Sequence, residues 1–253
     1  MINRRRGIYL LPNLFTTAAL FAGFYAIVAA MNSHFEAAAI AIYVAMFMDG
    51  MDGRIARLTN TQTDFGVQYD SLSDLASFGL APALVIYQWS LSSLGKLGWL
   101  AAFIYAAAAA LRLARFNTQA PSADKQFFQG LPSPPAAALI AGMIWFGVSQ
   151  DINDGSSVLF ITFPVTILTG ILMVSNIRYL SFKQFDLRDK IPFVTGLLIV
   201  LVFVFIAIEP PLVLFLISLT YAASGPVLTL LKIRQHRAAR KQQEPQDNKD
   251  HGA

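Results

Sequence analysis

Cysteine is absent from the 253 residues, and histidine occurs only as His34, His236 and His251. Disulfides, thiolate nucleophiles and Cys-ligated zinc or iron–sulfur centres are therefore excluded. Any catalysis has to rest on carboxylates, hydroxyls, lysine or arginine. Charge is also scarce, at 13% of residues, where an average soluble domain carries about 25%. Hydrophobic residues make up 55% and the mean hydropathy is +0.53. A soluble enzyme is excluded, because apolar runs of about 20 residues recur along the chain and their solvent is lipid. The net charge of +4 does not indicate nucleic acid, since the basic residues gather at the ends of apolar segments.

Eight apolar stretches are read as membrane spans: Leu10–Ala30, Ala37–Leu58, Asp70–Leu91, Leu97–Phe116, Pro135–Val148, Val158–Ile177, Ile191–Ile208 and Leu212–Leu231. The predicted fold is all-α, a polytopic integral membrane helical bundle of about eight transmembrane helices. The fifth stretch, with 14 residues, is short enough for a re-entrant or tilted segment. Pro134-Pro135 and Pro210-Pro211 mark segment starts, where the missing N–H is harmless. Arg4-Arg5-Arg6 before the first run resembles a signal peptide, but 21 apolar residues exceed the usual h-region, and a retained helix is expected. With the N-terminus inside and strict alternation, 18 of the 19 Lys and Arg fall on the inner side, Lys96 being the exception. The positive-inside rule then places both termini in the cytoplasm. Residues 1–231 form the membrane domain. Residues 232–253 form a basic cytoplasmic tail, expected to be frayed and to touch anionic headgroups.

Acidic residues number only 15, so their placement carries information. Asp49 and Asp52, spaced i, i+3, close the second span. Asp70 and Asp74, spaced i, i+4, open the third from the same side. Two adjacent antiparallel helices can aim both pairs into one pocket. Bare carboxylates there repel by about 4 kcal/mol per close pair at intermediate dielectric. Oxygen-only ligation suits Mg²⁺ or Mn²⁺, and four carboxylates can hold two ions. Ionisable groups at membrane depth are usually functional. Gly50 and Gly53 interrupt the helix and leave room for a bulky anion, while Arg57, one turn beyond Gly53, carries a fork suited to a diphosphate. Helix capping at the inner surface is the plain structural alternative for such aspartates, and lining a cation or proton path in a transporter is another functional one.

Asp49, Asp52, Gly53, Ala56, Arg57, Gly66, Asp70 and Asp74 spell D-x-x-D-G-x-x-A-R-x8-G-x3-D-x3-D. The pattern resembles the signature of the CDP-alcohol phosphatidyltransferase family. YDSLSDLASFGLAPA, RLARFN, FFQGLPSPPAAA and MVSNIRYLSFK are similar to the phosphatidylserine synthase branch. The resemblance implies a CDP-alcohol phosphatidyltransferase fold, CDP-diacylglycerol as donor, L-serine as acceptor, and a homodimer in the membrane. It implies that Asp49, Asp52, Asp70 and Asp74 hold two divalent ions and that Asp74 is also the general base. Gly53, Arg57, Thr63, Asn13 and Thr16 would then contact CDP-diacylglycerol, the last two through the P-N-x-x-T element at 12–16. Asn13 and Thr16 serve equally well as turn and cap residues. Serine would be held by Arg112, Arg115 and Ser133. For the arginines, topology and headgroup pairing are an equal alternative, and for Ser133 a loop role is the plainer one. The same chemistry with glycerol 3-phosphate, inositol phosphate or an amino alcohol is the alternative reading of the acceptor.

Overall fold

The computed structural model describes residues 10–59, 63–119, 127–180 and 193–250. Each apolar stretch is helical: α1 (Leu10–Met31), α2 (Phe35–Thr59), α3 (Asp64–Asp74) with α4 (Ala81–Trp89), α5 (Lys96–Gln119), α6 (Ser133–Ser149), α7 (Leu159–Val174), α8 (Phe193–Ile208) and α9 (Pro210–Asp250). Ile191, where the seventh stretch was expected to start, lies outside the described residues. Four stretches, Pro12–Met31, Lys96–Thr118, Gly155–Val174 and Pro210–Leu231, are each long and apolar enough to cross a membrane unaided. The chain is a helical integral membrane protein. Two features depart from the expectation. A short antiparallel ribbon joins β1 (Phe127–Gln129) to β2 (Arg178–Leu180), with Phe128 opposite Tyr179. The polar stretch after Leu231 continues as helix to Asp250 rather than fraying.

Alanine sets the packing. α1 lies along α2, and the two bury Ala19, Ala22, Ala26, Ala29 and Ala30 with Ala38, Ala39, Ala41 and Ala45. Small side chains let helix backbones approach where lipid offers no hydrophobic drive for association. Their turn is a Schellman closure: Ser33 takes φ 60°, with Ser33 N–H donating to Ala30 O and His34 N–H to Ala29 O, each at 2.9 Å. The short fifth stretch becomes the 17-residue α6, and Ala136–Ile144 is buried without interruption. It packs against α2 and α9, so its length is not set by the bilayer.

Between α3 and α4 the backbone widens into a π-helical turn at Leu75–Leu80. Pro82 explains it. An α-helical proline has no N–H for the carbonyl four residues back, and its ring collides with that carbonyl. That carbonyl belongs to Phe78, and the buried Tyr105 hydroxyl of α5 donates to it at 3.1 Å. Single π turns often lie beside functional residues, and this one begins immediately after Asp74.

Candidate active site

The C-terminal half of α2 meets the last turns of α3 at one end of the bundle; α3 already starts at Asp64, so Asp70 and Asp74 lie toward its end rather than opening it as expected. Asp49, Asp70 and Asp74 there each offer a carboxylate oxygen, and the three oxygens lie within 4.8 Å of one another. Asp70 Oδ1 and Asp74 Oδ1 are buried and accept no hydrogen bond. Buried acceptors without a donor are rare. Like-charged oxygens converging away from water call for a cation, and an all-oxygen donor set fits a hard divalent ion. The residues present therefore fit a metal centre.

Asp52 is the fourth carboxylate of the spacing argument, and it stands beside the trio. It interacts with Asp70, and its Oδ2 accepts from the Thr16 hydroxyl at 2.6 Å. That places α1 in the site. Thr16 has its hydroxyl committed to Asp52, with Pro12 O also within reach at 3.2 Å. Further hydroxyls stitch α1 to the helix that carries Asp70 and Asp74. Ser73 donates to Thr16 O at 3.1 Å, Ser77 donates to Ala19 O at 3.0 Å, and Thr17 and Tyr69 share a 2.9 Å bond. Gly23 makes this approach possible, since a Cβ there would stand 2.7 Å from Ser77 Cα.

The remaining donor-side residues sort by surroundings. A Cβ on Gly53 would meet nothing within 4 Å, and the position is exposed. Thr63 is the N-cap of α3 and accepts from Gly66 N–H at 3.0 Å. Asn13 approaches the same turn, with its Oδ1 3.6 Å from where a Gly66 Cβ would lie. The Arg57 side chain lies outside the described residues.

The acceptor-side residues divide. Arg112 is buried near the end of α5, interacts with Asp74, and donates from Nη1 to Ser133 Oγ at 3.0 Å. Ser133 is fully buried at the start of α6. Arg112 Nε is buried without an acceptor. Arg115 is employed differently. Its fork donates to the carbonyls of Gln129 (3.0 Å), Val174 (3.1 Å), Met173 (3.3 Å) and Ser175 (3.4 Å), and to Asn176 Oδ1 (3.4 Å). Three residues escaped the sequence reading. Asn117 donates to Ser71 Oγ at 2.9 Å and ties α5 to α3. Tyr221 of α9 interacts with Arg112 and donates to Leu180 O at 3.0 Å. Tyr105 serves the π turn. Asn117 sits within RLARFN and was within reach of motif reading, whereas nothing local marks Tyr221.

The clustering of Asp49, Asp70 and Asp74 between α2 and α3 is the arrangement that the aspartate spacing implied. The family model described as CDP-alcohol phosphatidyltransferase matches residues 9–178, and the chain belongs to that family. Among curated proteins it is similar to the CDP-diacylglycerol–serine O-phosphatidyltransferase of Helicobacter pylori, 38% identical over 198 residues, covering 78% of this chain and 83% of the relative. The enzyme of that name from Mycobacterium bovis is 39% identical over 183 residues, covering 68% and 62%. The one from Bacillus subtilis is 31% identical over 179 residues, covering 69% and 92%.

Proposed function

We propose that this protein transfers the phosphatidyl group of CDP-diacylglycerol to the hydroxyl of L-serine, giving phosphatidylserine and CMP. The observation that carries the reading is the convergence of Asp49, Asp70 and Asp74 beside Arg112, whose Nε is buried without an acceptor. The first group suits cations that meet a diphosphate, and the second suits a small carboxylate. The names of the relatives support both substrates.

Two divalent ions, Mg²⁺ or Mn²⁺, held by Asp49, Asp52, Asp70 and Asp74, would neutralise the diphosphate and the charge that develops on departing CMP. Thr16 fixes the rotamer of Asp52 through their 2.6 Å bond. The open face of Gly53 would receive the CDP head, with Arg57, Thr63 and Asn13 as the further donor-binding residues. Arg112 pairs with the serine carboxylate, and Ser133 orients that guanidinium by accepting from Nη1. Asp74 takes the proton of the serine hydroxyl. The serine oxygen bonds to the phosphorus that carries diacylglycerol, the bond from that phosphorus to the CMP oxygen breaks, and CMP leaves. The site end of the bundle and both termini face the cytoplasm, the acyl chains stay in lipid, and the protein works as a homodimer.

An acceptor screen tests the reading. Purified protein is given CDP-diacylglycerol and Mn²⁺ with serine, glycerol 3-phosphate, inositol phosphate or ethanolamine, and CMP is measured with and without chelator. Serine alone should give saturable, chelator-sensitive release. Release with another alcohol and none with serine would overturn the acceptor assignment.

A further inference from the structure

Arg115 was expected at the acceptor, yet its donors are taken up elsewhere, and what they hold together is informative. The fork gathers carbonyls from β1 and from the C-terminal turn of α7. Those are the carbonyls a helix end leaves unsatisfied, at the negative end of its dipole. Directly after β1, Gly130 adopts φ +75°. Its N–H donates to Ile177 O at 2.8 Å, and Leu131 N–H donates to Leu172 O at 2.9 Å. A Cβ on Gly130 would collide with Met173 O and stand 3.0 Å from Arg115 Nη2. Three residues past Gly130 lies Ser133, the acceptor of Arg112. The turn that delivers Ser133 is thus pinned on one side to the end of α7, and Arg115 is the pin.

From this geometry we infer that Arg115 is a positioning residue for the acceptor pocket. It clamps β1 and the end of α7 and so sets the Gly130–Pro132 turn that seats Ser133 against Arg112. The inference rests on the proposed serine site and deepens it. Arg112 and Arg115, one helical turn apart, divide the work: the first meets the substrate and the second holds the frame. Lysine cannot replace Arg115, because a single ammonium lacks the planar fork that spans carbonyls on two elements.

The test uses the full chain in detergent–lipid micelles, with wild type, Arg115→Lys and Gly130→Ala compared. The readouts are the serine KM, kcat, the Kd for CDP-diacylglycerol with Mn²⁺ in the absence of serine, and the apparent unfolding midpoint. Gly130→Ala disturbs the same turn by crowding Met173 O and Arg115 Nη2 but keeps the arginine and its charge, so it perturbs the clamp without removing the cation. Both variants should raise the serine KM about tenfold or more, with kcat changed less than about threefold and CDP-diacylglycerol affinity unmoved. An unchanged serine KM in folded variants overturns the inference. So does a rise in Arg115→Lys alone, which would mean direct contact with serine, or an equal loss in affinity for both substrates, which would mean general support of the fold. Wild-type CMP release that does not saturate with serine would instead refute the proposed function itself, and that is read before any variant is compared.

Discussion

Neutralising Asp70 should stabilise the metal-free protein while destroying its function. Asp70 faces Asp49 and Asp52, and Asp74 faces Asp70. With the trio's oxygens within 4.8 Å of one another, each ionised pair repels by about 3.5 kcal/mol at an effective dielectric of ~20. Asp70→Asn removes two of those pairs and the repulsion from Asp52. Relaxation and counterions absorb most of that. If about 2 kcal/mol survives, the apparent unfolding midpoint in chelator rises by roughly 4–8 °C. The assay is thermal unfolding of the detergent-solubilised protein in EDTA and across a Mn²⁺ titration. Wild type should gain stability with Mn²⁺ as the ion binds the folded state. Asp70→Asn should start higher and gain little, with CMP release down by at least about 100-fold. An Asp70→Asn variant that melts below wild type in chelator, with wild type indifferent to Mn²⁺, would refute carboxylate repulsion relieved by a cation.

Other substitutions separate the roles of the individual residues. Thr16→Val leaves Asp52 without its 2.6 Å donor, and should weaken Mn²⁺ binding, measured by electron paramagnetic resonance of the free ion, while Thr16→Ser retains it. Arg112→Ala should raise the serine KM by about 100-fold or more with little effect on CDP-diacylglycerol binding, as expected for a lost charge-assisted pair. Tyr105→Phe strips the donor from buried Phe78 O and should cost about 1–3 kcal/mol, read as a lower unfolding midpoint. At the opposite end of α7, Asp154 accepts from Ser156 N–H and Oγ–H at 2.9 Å each, and the backbone bond first, then the hydroxyl, holds its carboxyl below the usual value. A depressed carboxylate stabilises the fold above its unfolded-state pKa, and the contribution disappears as pH falls through the folded-state value. Asp154→Asn should therefore remove a small acid-range slope from the stability profile and leave the neutral range alone.

The aspartate site was legible because helical spacing is local: Asp49/Asp52 and Asp70/Asp74 share faces by arithmetic alone, and antiparallel neighbours bring the faces together. The bond between Thr16 and Asp52 was not legible. It spans 36 residues and depends on how closely alanine packing lets α1 approach α2. Arg112 and Arg115 show the limit more sharply. They sit one turn apart at the same helix end, and sequence gives both the same chemistry. Which one reaches the site is decided by carbonyls from β1 and α7, more distant in the chain than any periodicity can register. The π turn had a legible cause in Pro82, whose missing N–H falls opposite Phe78, but its partner Tyr105 comes from another helix. The helical stretches followed from hydropathy, since in lipid a segment must satisfy its own backbone. The β1–β2 ribbon did not, as three-residue strands leave no alternation to read.

The central claim is that the carboxylate cluster activates CDP-diacylglycerol for attack by serine, and serine-dependent CMP release by wild type and Asp74→Asn in the same liposomes tests it most directly. Wild type should release CMP saturably with Mn²⁺ and not with chelator, and Asp74→Asn should lose at least about 100-fold with CDP-diacylglycerol still bound. Folded wild-type protein that binds Mn²⁺ and CDP-diacylglycerol yet releases no CMP with serine, or an Asp74→Asn variant that turns over like wild type, would contradict it.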